Sequence, residues 1–298
     1  MPALFVTGAG GFVGRHFLRR AGEQAAWSVT ALTRSELPGP LPANVRVVTG
    51  DLRATGWEFA LEGADTVVHL AALTGKATAA EFRETNLRAT ERLLTAARAA
   101  GVQRFLFVSS IAAKFADAPH YHYAESKRAA EAAVLASGMR VAIVRPTIVL
   151  GPGSPIGQRL RALAAGPVVP VFGSGRARIQ PIHVNDLASI LAAVVQQDRF
   201  NGEIIEAGGP DVVTMEDFLR RMHQVLKGVR PRVIHVPVRP LRSALAFAES
   251  VSIKLVPFTA GQLASFCNDG VATNGAATEL APRMRDAEEM IAELTKDA

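Results

Sequence analysis

Short runs of β-branched and other apolar residues alternate with longer stretches of helical periodicity through the first half of the chain. Six of these runs predict β-strands: Ala3–Thr7, Ser28–Thr33, Val45–Thr49, Thr66–Leu70, Arg104–Ser109 and Arg140–Arg145. Three of the stretches between them predict helices: Gly14–Ala21, Glu81–Ala100 and Tyr123–Ser137. Nearly continuous apolar strands are typical of a parallel sheet that is covered on both faces. The alternation therefore predicts right-handed crossovers and a doubly wound α/β sheet.

The regular alternation ends after Pro146. The segment Gly151-Pro152-Gly153-Ser154-Pro155 interrupts it, Ile182–Gln197 predicts an approach loop followed by a helix, and Gly202–Ala207 predicts one more strand. Further on, the helical stretches are shorter and separated by prolines. Residues 268–282, which are rich in Ala, Gly, Thr and Asn, predict a loose loop.

This change of pattern predicts a larger domain and a smaller lobe. The larger domain covers residues 1–150 and is completed by about residues 178–208. The smaller C-terminal α/β lobe, built from residues 151–177 and 209–298, lies over the strand ends and contacts the substrate. Hydrophobic residues make up 49% of the chain and charged residues 20%, which suits a sizeable buried core.

Charge and cysteine content narrow the function classes. The net charge of +6 comes mostly from dispersed arginines, without the basic runs of a nucleic-acid-binding protein. Cys267 is the only cysteine, which excludes an internal disulfide, and it is predicted to be a small packed side chain. The N-terminus lacks the features of a signal peptide, and the longest apolar helical run, Leu187–Val195, is too short to span a bilayer. We therefore expect a cytoplasmic protein without a membrane span.

A glycine-rich turn follows the first strand directly and opens a helix. Gly8 permits the tight turn, Gly11 lets the backbone approach a pyrophosphate, and Gly14 allows close packing of helix on strand. The free N–H groups and the positive dipole end of the helix favour phosphate. This context predicts a Rossmann fold that binds NAD(P) through the turn residues Gly8, Gly10, Gly11, Phe12, Val13 and Gly14.

The end of the second strand indicates which dinucleotide is bound. It reads Thr33-Arg34-Ser35, where NAD-selective folds usually place an acidic residue that binds the ribose hydroxyls. Arg34 can instead make charge-assisted contacts with the 2′-phosphate of NADP, and Arg15 can assist. We therefore expect NADP in preference to NAD.

Further segments match a known family in order along the chain. They are Thr7–Gly14, Gly50-Asp51-Leu52, His69–Ala72, Thr85–Thr90, Val108-Ser109-Ser110, Tyr123–Lys127, Arg145–Pro152 and Ile182–Ala188. Together they resemble the extended short-chain dehydrogenase/reductases of the NAD-dependent epimerase/dehydratase family. The resemblance implies further cofactor contacts: Asp51 and Leu52 at the adenine, Leu70, Ala71 and Ala72 beside the ribose, and Ser109, Tyr123, Lys127 and Pro146.

The same resemblance implies a catalytic set of Ser110, Tyr123, Lys127 and Asn86. Tyr123 and Lys127 are four residues apart and so share one helix face. A nearby ammonium would favour the phenolate, which makes Tyr123 an acid or base closer to neutral pH. Ser110 would hydrogen-bond the substrate oxygen, and Asn86 would position Lys127 or a water. These roles predict hydride transfer between a nicotinamide and a carbonyl or carbinol carbon of a small molecule.

Two departures from the family pattern argue against the prediction of a sugar-nucleotide substrate. Ala113-Lys114-Phe115 stands where many of the epimerases have Val-Tyr-Gly, and the gap from Ser110 to Tyr123 is short. Ile179 occupies the place of a diphosphate-binding arginine, although Arg176 or Arg178 can substitute. Both a sugar-nucleotide epimerase or dehydratase and a reductase remain open.

The C-terminal third resembles bacterial relatives of the 39 kDa accessory subunit of complex I. The matching segments are Pro257–Leu263, Asn268–Val271 and Pro282-Arg283. This resemblance implies an alternative, a non-catalytic protein that holds NADP(H) as a structural or sensing ligand. The presence of Ser110, Tyr123 and Lys127 argues against it, since a mere binder does not need them.

The histidines give no sign of a metal. His120, His122 and His183 have no partners at ligand spacing, so no metal site is predicted. His183 is predicted to be structural, just before Asp186 as the cap of the next helix. Family members often dimerise through the helices that carry Asn86 and Tyr123, which implies a homodimer by analogy.

Overall fold

The structure is a computed structural model that describes residues 2–273 and 275–296. Met1 of the predicted larger domain, Asn274 of the predicted loop, and Asp297 and Ala298 of the predicted smaller lobe lie outside the described residues. The first half contains strands β1 (Ala3–Thr7), β2 (Ser28–Thr33), β3 (Val45–Thr49), β4 (Thr66–His69), β5 (Arg104–Val108) and β6 (Arg140–Pro146). Its helices are α1 (Phe12–Gly22), α2 (Ala79–Phe82), α3 (Ala89–Ala99) and α4 (His122–Leu135). A π-helical turn, Arg83–Arg88, joins α2 to α3 without a break.

The second half contains shorter strands and six helices among the described residues. The strands are β7 (Val149–Leu150), β8 (Val168–Phe172), β9 (Arg178–Ile179), β10 (Ile182–His183), β11 (Ile204–Ala207), β12 (Val213–Thr214) and β13 (Arg232–Val236). The helices are α5 (Pro155–Ala165), α6 (Val184–Gln196), α7 (Met215–Lys227), α8 (Val238–Val251), α9 (Ala276–Leu280) and α10 (Ala287–Lys296). The prediction of only short helices here is wrong, because α7 and α8 have 13 and 14 residues.

The main sheet has seven strands in the order β3-β2-β1-β4-β5-β6-β11, and every pairing is parallel. The strand order reverses between β1 and β4, which is where ligands bind in open α/β sheets. Successive residues of β4 serve opposite faces, since Val67 packs into one hydrophobic cluster and Val68 into the other. The predicted doubly wound Rossmann fold is confirmed.

A third hydrophobic cluster lies in the second half of the chain. It joins α5, β8, α7 and α10 through Leu160, Val171, Phe218 and Ile291, all nearly inaccessible to solvent. Within the described ranges, 2–273 and 275–296, no helix has both the length and the apolarity to cross a membrane.

The predicted loose loop at 268–282 is wrong where α9 forms. Ala277 and Leu280 of this helix are buried in the cluster that also contains Leu191 of α6 and Ile205 of β11. Burial against the sheet therefore orders a segment whose composition alone predicts a loop.

Candidate active site

A groove of about 400 Å³ opens at the carboxyl ends of β1, β2 and β4. Ten residues assigned to the cofactor from the sequence line it: Gly8, Gly10, Gly11, Thr33, Arg34, Asp51, Leu52, Leu70, Ala71 and Ala72. Nine others that were not assigned line it as well: Thr7, Leu32, Ser35, Gly50, Arg53, Leu73, Glu81, Thr85 and Ala89. Thr7, Gly50, Thr85 and Ala89 lie in the matching motifs and could have been assigned from the sequence. Nothing in the motifs indicates Arg53 or Glu81.

The remaining eight assigned cofactor residues are not among those that line the groove. They are Phe12, Val13, Gly14, Arg15, Ser109, Tyr123, Lys127 and Pro146. Gly14 faces the turn instead, since a Cβ atom built there would lie 2.1 Å from the Gly8 carbonyl oxygen. Ser109 Oγ is buried and has no hydrogen-bond partner among the described residues. The groove thus holds the adenosine side of the predicted site, and the catalytic set lies beyond its lining.

The glycine turn leaves the groove open for a dinucleotide phosphate. Gly8 has a φ of +71°, and a Cβ atom built on it would lie 2.4 Å from the Ala71 nitrogen. The cap of α1 is Gly11, which offers no side-chain oxygen to the helix N–H groups, and the first turn has no acidic residue. These N–H groups suit an anion. The cradle that a side chain would fill therefore fits the NAD(P) pyrophosphate.

The far end of the groove is rich in arginine. The Arg53 guanidinium makes a forked contact with Asp51, with 2.6 Å between Nη2 and Oδ2. Hydrogen bonds from Arg53 lower the pKa of Asp51 to about 2. Arg34 is exposed at the end of β2, and no carboxylate in the described part of the chain forms an ion pair with it. The charge of Asp51 is thus matched by Arg53, and Arg34 adds a positive charge.

A buried chain of hydrogen bonds begins at Thr7, beside this turn, and passes through His69. Thr90 Oγ1 donates to the Asn86 carbonyl, so its oxygen accepts from His69 Nε2 at 2.9 Å. His69 Nδ1 then accepts from Thr7 Oγ1 at 2.6 Å. Burial, with a smaller effect of the Lys127 charge, lowers the pKa of His69 to about 3. His69 is therefore neutral and protonated on Nε2, and it ties β1 and β4 to the helix at Asn86.

Asn86 lies in the π-helical turn and is almost completely buried. Its side chain accepts from the Leu73 N–H and donates to the Leu73 carbonyl, at 2.7 and 3.1 Å. The amide also donates to Ser126 Oγ, which in turn donates to the Tyr123 carbonyl. Among the described residues Asn86 does not contact Lys127, one of its two predicted partners, because its side chain is held by Leu73 and Ser126. Asn86 instead fixes the first turn of α4.

Tyr123 and Ser110 meet at the end of β5. Ser110 caps the turn that follows, accepting from the Ala112 N–H, and its hydroxyl lies close enough to the Tyr123 phenol to influence its pKa. The Tyr123 ring packs edge-on against Phe82 and beside Tyr121. Burial raises the pKa of Tyr123 above its usual value, and hydrogen bonding to Ser110 offsets this only in part. The phenol is therefore protonated at neutral pH, contrary to the lowered pKa expected from the sequence.

Lys127 lies one helical turn beyond Tyr123, but its ammonium points into the protein. Nζ donates to the Val108 carbonyl at 2.7 Å and lies 4.2 Å from the centre of the Phe107 ring. Burial lowers the pKa of Lys127 to about 7, although the Glu131 charge acts in the opposite direction. The amine thus lies under the end of β5 and is only partly charged at neutral pH.

We expect this buried amine to make stability depend on pH. Above about pH 7 the native protein loses the Lys127 proton, whereas the unfolded chain keeps it until about pH 10. The unfolding free energy should therefore rise by about 1 kcal/mol per pH unit between about pH 7.5 and 9.5. Urea unfolding of the wild type and of Lys127→Met across this range measures the difference between their slopes. Parallel profiles would show that Lys127 titrates normally.

The second half of the chain closes over Tyr123. Ala264 packs into the cluster that contains Tyr121 and Tyr123, and Tyr121 Oη lies 3.5 Å from Ser265 Oγ. A Cβ atom at Gly261 would lie 2.2 Å from the His120 carbonyl oxygen, so only glycine permits this approach. The segment 256–266 thus covers the candidate catalytic tyrosine.

The positions around Ile179 were considered for binding a substrate diphosphate, and Arg178 is not free to do so. Ile179 is buried, and Arg178 makes a forked ion pair with Asp269, with 2.6 Å between Nη2 and Oδ2. An apolar side chain at 179 and an engaged guanidinium at 178 therefore leave Arg176 as the candidate: it is exposed, and no carboxylate in the described part of the chain forms an ion pair with it.

Two other predictions are wrong. His183, not Asp186, caps α6, because its Nδ1 accepts from the Asn185 N–H while Asp186 accepts from Arg285. Cys267 is exposed rather than packed. The capping of α6 gives His183 the structural role that was predicted for it. Its Nε2 also contacts Glu293 at 2.8 Å.

Comparison with known proteins adds three kinds of similarity. The family model described as NAD dependent epimerase/dehydratase family matches residues 4–208. The ceramide reductase of Caulobacter vibrioides is 36% identical over 254 residues, which span 83% of this chain and 77% of that protein. The mitochondrial NADH dehydrogenase (ubiquinone) 1 alpha subcomplex subunit 9 of Arabidopsis thaliana is 26% identical over 269 residues, 85% of this chain and 64% of that protein. The solved structure of MoeE5 in complex with UDP-glucuronic acid and NAD has a TM-score of 0.76 at 24% identity, covering 99% of this chain and 98% of that chain.

Proposed function

The chain belongs to the NAD-dependent epimerase/dehydratase family, and from this premise we propose that it is an NADPH-dependent reductase of a carbonyl group in an apolar, lipid-like substrate. The observation that carries the proposal is the placement of the Ser110 hydroxyl beside Tyr123 at the end of β5, with Lys127 one turn further along α4. The similarity to a ceramide reductase supports a lipid-like substrate, since ceramide carries long apolar chains.

The cofactor, when bound, supplies the hydride, and the side chains of this protein handle the oxygen and its proton. Tyr123 is protonated at neutral pH, so its hydroxyl can donate a proton to the oxygen of the reduced carbonyl. Ser110 donates a second hydrogen bond to the same oxygen and stabilises the developing negative charge. The raised pKa keeps the Tyr123 phenol protonated at neutral pH, as the acid role in reduction requires.

Three features of the site support the reductase over a sugar-nucleotide enzyme. Arg34 at the end of β2 suits the 2′-phosphate of NADPH, a cofactor that a reductase exchanges at each cycle. Ile179 is apolar where a sugar nucleotide would need a cation for its diphosphate, and Arg178 is paired with Asp269. Both features reduce the affinity for a charged substrate.

The proposal is tested by titrating the purified protein with NADPH and NADH and following fluorescence. We expect the Kd for NADPH to be at least about tenfold lower than that for NADH, and Arg34→Leu to remove most of this preference. Arg46→Leu is the matched control, since Arg46 is also an exposed arginine, on the neighbouring strand β3, but does not line the groove. An unchanged preference in Arg34→Leu would refute the role of Arg34.

Turnover is then measured as NADPH consumption with long-chain aliphatic ketones and with keto-sugar nucleotides. We expect NADPH consumption with the long-chain aliphatic ketones. Tightly retained NAD(H) together with conversion of a sugar nucleotide would identify an epimerase or dehydratase instead. Tight NADPH binding without turnover of any carbonyl compound would support the non-catalytic alternative, and either result would overturn the proposal.

A further inference from the structure

Helix α8 is apolar on two adjacent faces, one turned inward and one outward. Its inner face packs into a cluster with segment 256–266, through Leu241, Leu245 and Ala248 against Val256 and Leu263. Leu245 is the one residue of the helix that is fully buried among those described. The inner face therefore accounts for only part of the apolar character of α8.

The outer face of α8 carries a second apolar stripe. Pro240, Ala244, Phe247 and Val251 follow one another at intervals of four, three and four residues, which places them on one side of a helix. All four are exposed, and Phe247 and Val251 are 74% and 68% accessible. An isolated exposed phenylalanine is ordinary, but a continuous stripe along a 14-residue helix indicates a surface that is covered in use.

Basic residues are frequent in the sequence on both sides of this stripe. Between residues 225 and 256 there are six basic side chains and one acidic side chain: Lys227, Arg230, Arg232, Arg239, Arg242, Lys254 and Glu249. Five of the six basic residues are exposed, whereas Glu249 is partly buried and accepts from the Ala260 N–H. The same stretch also holds Val225, Val229 and Ile234, so that it contributes five of the ten large hydrophobic side chains exposed in the described residues.

We propose that α8 and its basic flanks dock onto the surface of an anionic phospholipid bilayer. An amphipathic helix with apolar residues on one face and arginine or lysine beside them lies in the plane of the interface, where lipid phosphates attract the cations. A second copy of this chain is a poor occupant of the same face, because the two basic surfaces would repel each other. Charge complementarity thus selects the anionic bilayer.

This docking gives the substrate lobe a defined position relative to the membrane. The inner face of α8 packs on the segment that covers Tyr123, so a bilayer held at the outer face lies next to that cover. The inference goes beyond the proposed reduction and does not depend on it, because membrane binding is measured without cofactor or substrate.

The experiment is flotation of the full chain with two kinds of vesicle. One kind is phosphatidylcholine alone, and the other contains about one third phosphatidylglycerol. We expect binding to the anionic vesicles, weak binding to the neutral ones, and loss of binding as salt is raised. Phe247→Ser combined with Val251→Ser should lower the bound fraction about tenfold, and Arg239→Gln combined with Lys254→Gln should lower it at low salt.

Phe59→Ser is the matched control. Phe59 is 64% exposed but lies in a different part of the chain, so its replacement should leave vesicle binding unchanged. Equal loss in Phe59→Ser, or undiminished binding in the double variant of α8, would overturn the proposal. So would sedimentation of the lipid-free protein as a dimer that Phe247→Ser dissociates, or saturable binding of an acidic protein without any vesicle binding. Circular dichroism confirms that each variant is folded.

Discussion

Tyr123→Phe is expected to lower the turnover number about a thousandfold while leaving the Kd for NADPH within about twofold. The substitution removes only the hydroxyl that lies beside Ser110 and that would protonate the substrate oxygen. The ring keeps its packing against Phe82 and Tyr121. Steady-state kinetics for turnover and fluorescence titration for NADPH measure the two effects separately.

Tyr121→Phe is the matched control for this substitution. Tyr121 is two residues away, is also largely buried, and loses only a 3.5 Å contact with Ser265 when the hydroxyl is removed. We expect its turnover to remain within about threefold of the wild type. Comparable losses in the two variants would contradict a specific role for Tyr123, as would undiminished turnover in Tyr123→Phe.

The chain has only these two tyrosines, which permits a direct measurement of the titration. In Tyr121→Phe the ultraviolet absorbance of tyrosinate reports Tyr123 alone. Burial raises the pKa of Tyr123, so its phenolate should appear only above the usual range for tyrosine. If the phenolate appeared near neutral pH, Tyr123 would not be fully protonated there, and the effect of burial on its pKa would be refuted.

The sheet could be predicted from the sequence because both of its faces are buried. Residues such as Val67 and Val68 are both apolar although they point to opposite sides, and this makes the strand visible as an uninterrupted run. The observed β1, β2 and β3 have the predicted bounds, and β4, β5 and β6 differ by one residue at their ends. The family and the likeness to complex I relatives, both inferred from motifs, are confirmed.

The direction of the Lys127 side chain could not be predicted in this way. A spacing of four residues places Tyr123 and Lys127 on one face of α4, but it does not decide where a long flexible side chain ends. The Val108 carbonyl and the Phe107 ring offer Nζ a partner inside the protein, and these groups come from a strand distant in sequence. The raised pKa of Tyr123 has the same origin, because burial depends on residues of the second half of the chain.

Predictions from local sequence were wrong where the side chain concerned forms its hydrogen bonds with residues distant in sequence. Asp186 has a good capping side chain, but the backbone and the guanidinium of Arg285 occupy its oxygens, and His183 caps α6 instead. Asn86 was expected to face the catalytic residues. The π-helical turn and the Leu73 backbone hold its side chain towards Ser126, and neither has a signature in the sequence.

Glu131→Leu is expected to lower the free energy of unfolding by about 3 kcal/mol. Glu131 lies on α4, which carries Tyr123, and makes a two-point contact with Arg145 of β6 at 2.8 and 2.6 Å. Both side chains are largely shielded from solvent, 5% and 17% exposed. Arg145 also lies 3.6 Å from Glu206, which pairs with Lys114, so among the described residues the loss of Glu131 leaves this largely shielded cation with one longer contact to a carboxylate.

The double variant Glu131→Leu/Arg145→Met should recover more than half of this loss, because the uncompensated charge is removed together with its partner. Glu23→Leu is the surface control, since Glu23 and its partner Arg20 are 56% and 39% exposed and should contribute less than about 1 kcal/mol. Urea unfolding measures all three variants. A double variant as unstable as Glu131→Leu would show that packing, rather than the unpaired charge of Arg145, determines how firmly α4 is held to the sheet.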